Sequence, residues 1–264
     1  MSSYTALAVT DLGDGVTEVT LTRPELHNRV DSVLHEELAD ALGEVGRDAE
    51  SRAIVLSSQG RSFSAGGDFE LMHDAHNDAR VRKEIVDQGR RLIDTFLDLP
   101  QPLAVAVQGP AIGLGATLVL LADVVVAARQ ATLADTHVSL GLVAGDGGCL
   151  VWPQAAGMVR ARRHLLTGDP LTAEEAFALG MVTDLVESPE DAAPQARDIA
   201  ARIARLAPLA VQGTKRALNR VSRQRAGEVV DLSFALEQQT LASEDLLEGV
   251  AAFRERRAPR FQGR

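Results

Sequence analysis

Three stretches of this chain carry residue types that can do chemistry. Two are glycine loops placed where a strand hands over to a helix: Phe63-Ser64-Ala65-Gly66-Gly67-Asp68, and Gln108-Gly109-Pro110-Ala111-Ile112-Gly113-Leu114-Gly115. Such turns leave backbone N–H groups unpaired. At a helix start those donors, with the helix dipole behind them, suit a phosphate or the oxyanion of a polarised carbonyl. The same glycines also serve tight turns and close packing. The third stretch holds His137, in Ala134-Asp135-Thr136-His137-Val138, and Asp146, in Ala144-Gly145-Asp146-Gly147-Gly148. An imidazole near its ordinary pKa is a competent base at neutral pH, and an aspartate can orient it and stabilise its protonated form. Taken singly, a lone histidine also reads as a hydrogen-bonded structural residue, and an aspartate before two glycines as a helix cap.

Other signatures fail. Gly113-Leu114-Gly115 would need a third glycine where Leu118 stands to bind a dinucleotide, and no glycine-lysine pair makes a phosphate loop. A hydrolase elbow around Ser139 has His137 where glycine is required. No histidine or cysteine pair has zinc spacing, so no metal is expected; His73 and His76 are read as solvent-facing.

These residues need elements to position them. Ala6, Ala8, Val16, Val19 and Leu21 alternate around Gly13-Asp14-Gly15, the pattern of a β-hairpin. Leu34, Leu38, Leu42 and Val45 recur at helical spacing behind Asp31 or Ser32 as a cap, so residues 31–46 read as an amphipathic helix. A strand at Ala53 to Leu56, the first glycine loop, and a helix carrying Val81, Ile85, Leu92, Ile93 and Phe96 follow. The cycle repeats with a strand from Leu103 to Val107, the second loop, a helix from Gly113 to Leu121, and strands at Val124 to Ala128 and Ala131 to Leu133. Strand, loop and helix in succession imply an α/β fold with mostly parallel pairing. From about Ala192 strands cease, and four helical stretches run to Phe253; the chain divides into a core, 1–191, and a helical module, 192–264.

Composition narrows the function classes. The 264 residues are 45% hydrophobic and 24% charged, enough for a sizeable core. A net charge of −10 repels polyanions, and only 3% of residues are aromatic, so neither a nucleic-acid groove nor a base-stacking platform is expected. The apolar run from Ala111 to Ala128 is interrupted by Asp123, Gly113 and Gly115 and reads as buried helix and strand, not a membrane span. The single cysteine, Cys149, and the absence of a basic start and apolar run over Met1 to Val9 point to a reducing cytoplasm.

Along nearly its whole length the chain resembles the crotonase superfamily, the enoyl-CoA hydratase/isomerase family. Leu21-Thr22-Arg23-Pro24 with Asn28 is similar to an early element of that family, and the two glycine loops, the second followed by Ala122-Asp123, to its two oxyanion loops. Leu140 to Val143 with Gly147-Gly148 and Leu166-Thr167-Gly168 resembles its central section, and Glu248-Gly249, Ala252-Phe253 and Glu255 to Arg257 its last helix. The resemblance implies an α/β, crotonase-like spiral of strand-strand-helix turns with a C-terminal helical oligomerisation module, assembled as a homotrimer or dimer of trimers. It implies that the amides of Gly67 and Leu114 form an oxyanion hole for a coenzyme A thioester, with Ala65, Gly66, Asp68 and Phe69 lining the substrate site. Coenzyme A would be part of the substrate, with no cofactor held permanently. Arg23, Lys215 and Arg256 are candidates by position for its phosphates.

The acid–base positions depart from the family's hydratases. Where those enzymes carry two glutamates, this chain has Thr117 and His137. A two-glutamate hydration is therefore unavailable, and His137 with Asp146 is the expected catalytic pair. Such a pair also resembles the oxocamphor hydrolase-like branch, which hydrolyses a carbon–carbon bond of cyclic β-diketones without coenzyme A. A third expectation, from the missing glutamates, is a non-catalytic acyl-CoA-binding member of the family.

Overall fold

The computed structural model describes residues 3–264. The chain opens with the expected hairpin, β1 (Leu7–Asp11) and β2 (Val16–Leu21), and then α1 (Ser32–Arg47), whose first turn is capped by Asp31 accepting from the Leu34 amide. The spiral continues through β3 (Ala53–Ser58), α2 (Phe69–Asn77), α3 (Ala79–Asp98), β4 (Leu103–Val107), β5 (Ala111–Ile112), α4 (Leu114–Leu120), β6 (Val124–Ala128) and β7 (Thr132–Ala134). After β7 come α5 (Gly148–Ala156), α6 (Met158–Thr167), β8 (Leu171–Thr172), α7 (Ala173–Ala178) and β9 (Asp184–Val186), then α8 (Pro189–Ala204), α9 (Pro208–Leu241) and α10 (Glu244–Glu255).

Six strands form one sheet in the order β1-β2-β3-β4-β6-β9, in which only the β1–β2 pair is antiparallel. A second, three-stranded sheet has the order β5-β7-β8, with β5 and β7 parallel and β7 and β8 antiparallel. Alternation along the strands sends residues to two faces. Val19, Leu21, Ile54, Leu56, Val105 and Val107 face the main core with α1 and α3. Ala53, Val55, Ala104, Ala106 and Val126 face α8 through Ala192, Ala196, Ala200 and Ala204, one small residue per turn.

Two sequence expectations need correction. The helix after the first glycine loop is two helices. Asp78 ends α2 and caps α3, its carboxylate accepting from the Arg80 amide, so one acidic residue closes one helix and opens the next. The four C-terminal stretches are three helices, because α9 runs unbroken through Gly213 and Gly227, at both of which a side chain would meet open space. The expected boundary at 191/192 falls inside the first turn of α8, which packs on the sheet. No helix among the described residues is long and apolar enough to cross a membrane. The reading of Met1 to Val9 begins on residues outside those described.

Candidate active site

The two glycine loops are held side by side by backbone. Phe63 and Ser64 donate to Pro110 O, Ile112 donates to Ser64 O, and Val30 donates to Gly66 O. Gly66 has φ +83°, and a Cβ there would lie 2.6 Å from Ile112 O, so glycine is required both for conformation and for this approach. Among the described residues, the amides of Gly67 and Leu114 have no protein acceptor. Both residues line one inner cavity of about 40 Å³.

Asp68 plays a structural part in this arrangement. It caps α2, Oδ1 accepting from the amides of Glu70 at 2.8 Å and Leu71 at 3.0 Å, while Oδ2 pairs with Arg29. Phe69, the first residue of α2, meets Phe253 of α10 edge to face, ring centroids 5.3 Å apart. Ala65, Gly66, Gly67, Phe69 and Met72 line an outer cleft of about 520 Å³ that reaches Ala252, Arg257 and Pro259. Met72 and His137 border both spaces, so the outer cleft and the inner cavity meet at these side chains.

His137 starts a short 3-10 turn just beyond β7, closed by Gly141 in the left-handed region. Its ring lies between two carboxylates: Nδ1 is 2.7 Å from Asp135 Oδ1, and Nε2 is 3.2 Å from Asp146 Oδ2. Asp146 caps no helix, since the N-cap of α5 is Gly147 and receives no side-chain bond. The glycines after it permit packing instead: a Cβ on Gly147 would meet Thr117 Cγ2 at 2.6 Å, and one on Gly148 would meet Asp135 Oδ2 at 2.5 Å. Thr117, which the resemblance sets where the hydratases carry their first glutamate, is buried, its hydroxyl has no partner among the described residues, and it lines neither space.

Two further ionisable groups complete the inner cavity, neither marked as functional by sequence reasoning. Glu237 of α9 and His35 of α1 are both 5% exposed and line it beside Asp146. The available signal was an ionisable side chain on an apolar helix face: Glu237 follows Phe234 and precedes Leu241, and His35 lies next to the Leu34-Leu38-Leu42 stripe. Burial, reinforced by Asp146 and opposed by His137, pushes the Glu237 carboxyl up to about 8. Burial lowers His35 to about 4, against the pull of Asp146 and Asp31. Burial would also lower His137, but the charges of Asp146 and Asp135 and their hydrogen bonds prevail and hold it well above the ordinary histidine value. At neutral pH the site thus holds a protonated His137 between two carboxyl groups, with a neutral acid and a neutral imidazole in the adjoining cavity.

The ligand-capable atoms of Asp135, His137 and Asp146 lie within 4.8 Å of one another. With one carboxylate on each ring nitrogen they form a hydrogen-bonded row, not the converging donor set that would surround one ion.

Other candidates are committed elsewhere. Arg23 grips Asp31 through two bonds of 2.7 and 2.8 Å, and Lys215, 7% exposed, bonds Asp123 at 2.6 Å and Gln101 O at 2.8 Å. Neither is free to meet a phosphate; Arg256, at the end of α10, is exposed. His76 is not solvent-facing as expected: its Nδ1 is 3.2 Å from Leu241 O, whereas His73 is exposed.

Residues 11–264 match the family model for enoyl-CoA hydratase/isomerase. The chain is 34% identical over 252 residues to the 1,2-epoxyphenylacetyl-CoA isomerase of Escherichia coli (strain K12), covering 95% of this chain and 96% of that one. It superposes on an enoyl-CoA hydratase/isomerase from Mycobacterium paratuberculosis with a TM-score of 0.88 at 35% identity, covering 93% of this chain and 97% of the other. A β-diketone hydrolase from the cyanobacterium Anabaena gives a TM-score of 0.84 at 28% identity, over 90% and 95% of the two chains. Whole-length agreement of sequence and fold makes this chain a member of the crotonase, or enoyl-CoA hydratase/isomerase, superfamily, with a His/Asp cluster consistent with its oxocamphor hydrolase-like branch.

Proposed function

We propose that the protein is an enzyme acting on a coenzyme A thioester by hydration or isomerisation, with His137 and Asp146 in place of the two hydratase glutamates. The observation that carries this reading is the contact of His137 Nε2 with Asp146 Oδ2 at 3.2 Å, in the cavity that the Gly67 and Leu114 residues also line. When the carbon beside a thioester carbonyl loses a proton, the C–H electron pair moves into the new double bond and charge collects on the carbonyl oxygen. Two fixed amide donors stabilise that oxygen more than they stabilise the starting carbonyl, which lowers the barrier. The same donors serve enolate and tetrahedral intermediates, so the acid–base groups decide the reaction. The 1,2-epoxyphenylacetyl-CoA isomerase similarity supports the thioester, and the open outer cleft gives a long ligand a way in.

A second reading, hydrolysis of a carbon–carbon bond in a β-diketone or β-keto thioester, is favoured by one feature. Glu237 and His35, neutral and buried, line the inner cavity, and each keeps one polar atom without a protein partner, so a second oxygen function of a substrate would meet groups able to pair with it. Incubation with enoyl-CoA, 3-hydroxyacyl-CoA and cyclic β-diketone panels, with mass detection, separates the readings. Water addition or double-bond migration in a thioester supports the first. Ring opening of a free diketone with no thioester turnover replaces it with the second, and stoichiometric acyl-CoA binding without turnover of any panel member overturns both.

A further inference from the structure

A histidine that serves as a base needs one ring nitrogen bare. In a two-member arrangement the carboxylate takes the N–H on one side and the lone pair on the other side faces the substrate. Here neither nitrogen is bare, since Asp135 Oδ1 stands 2.7 Å from Nδ1 and Asp146 Oδ2 stands 3.2 Å from Nε2. A neutral imidazole has one N–H. In either tautomer a ring lone pair would then face a carboxylate at these distances, and only the imidazolium donates to both.

We propose that Asp135 is a positioning residue that keeps His137 as an imidazolium with a proton on each ring nitrogen, which makes His137 the proton donor of the site and Asp146 its proton acceptor. This deepens the thioester reading and rests on it for the direction of proton flow. Asp135 is suited to the part by place. It is 1% exposed, so water does not screen it, and its Oδ1 also receives the His137 backbone N–H at 3.3 Å. Gly148 leaves the space its other oxygen fills. Asp146 keeps one buried oxygen, Oδ1, without a protein partner.

The proton count closes. Asp146 takes the proton from the carbon beside the carbonyl, and the freed pair becomes the enolate held by the Gly67 and Leu114 amides. His137 gives its Nε2 proton to the carbon at the far end of the conjugated system and remains bonded to Asp135 through Nδ1–H. The proton on Asp146 then passes to Nε2, restoring the starting state with no outside reagent. Of the other ionisable groups near the row, Glu237 holds its proton up to about 8, His35 is uncharged down to about 4, burial with the two aspartates raises the Cys149 thiol, and Asp68, which lines the same cavity, is paired with Arg29.

The test is nitrogen NMR of the full chain labelled in its histidine rings, with the His137 signals assigned by their loss in His137→Gln. At about pH 7.5 both His137 nitrogens should be protonated, and in Asp135→Asn the ring should titrate at least about one pH unit lower, toward the ordinary value of about 6.5. A neutral His137 in the wild type, or an unshifted titration in Asp135→Asn, overturns the proposal. Should the variant not fold, the wild-type ionisation alone decides it. With an active substrate, Asp135→Asn should lower kcat about 100-fold with KM changed less than about threefold, and the alkaline limb of the kcat profile should move to lower pH. An unmoved limb counts against Asp135. A protonated ring in a protein that turns over no thioester leaves the positioning role standing and removes the thioester reading.

Discussion

At the scale of single residues, the environment of each side chain sets what it can do. His137 and Asp146 touch, and each turnover ends with a proton passing between them, so they should behave as one unit. His137→Ala and Asp146→Asn should each lower kcat by about 100- to 10,000-fold, and the double variant should be little worse than the worse single. Additive losses, measured on folded protein, would mean that the two act separately. Glu237 makes a different claim. Its folded-state carboxyl titrates at about 8 and its unfolded one at the ordinary 4.5, so between those values the folded chain binds the extra proton. The stabilisation that this retained proton represents is fully present below about pH 4.5 and is lost as pH rises toward 8. Glutamine mimics the protonated form and does not titrate. Glu237→Gln should therefore melt progressively higher than wild type as the pH of the scan is raised from about 5 to 8, by a few degrees at the upper end. A constant gap across that range would show that Glu237 is ionised in the folded protein.

At the scale of elements, the sequence made the periodic parts visible and hid the contacts between distant parts. Asp31 before Leu34 and Leu38 was enough to locate the start of α1, because a cap and its helix are neighbours in the chain. The same local rule failed at Asp78, where a single residue both ends and starts a helix and the apolar spacing continues across the break. The site was half legible for the same reason. Glycine loops and the His137 and Asp146 spacing are local patterns, whereas Glu237 and His35 reach the cavity only because α9 and α1 pack there from more than 90 residues away on either side of His137. Asp68 was expected to line the substrate site and does border the cavity, yet its hydrogen bonds belong to α2. Loss of that cap and of the Arg29 pair should cost about 1 to 2 kcal/mol, so Asp68→Ala should show a lower denaturation midpoint. If Asp68→Ala keeps the wild-type midpoint, the cap contributes nothing to holding α2.

At the scale of the whole molecule, the C-terminal helices have apolar surface that one chain does not cover. On α9, Leu218, Val221, Leu232 and Leu236 fall on one side at about 100° per residue, and they remain 67%, 62%, 61% and 39% exposed. The opposite flank, with Ala226, Val230 and Phe234, is already buried against the core, so this is a second apolar face on one helix. A long helix with two such faces has one of them available for another copy of the chain. Phe253 of α10, 64% exposed, edges the outer cleft near the same module, which means that assembly there would also shape the mouth of the site. We propose that further copies of the chain cover this face, in the trimer or dimer of trimers that the family resemblance implies, held together mainly by burial of such apolar surface. Sedimentation at micromolar concentration should give a mass of about three or six chains, and replacing Leu218 and Leu232 together with glutamate should shift the population toward monomer by placing charge in a desolvated contact. A wild-type protein that sediments as a monomer at that concentration would mean that this face has some other use and that the outer cleft is complete within one chain.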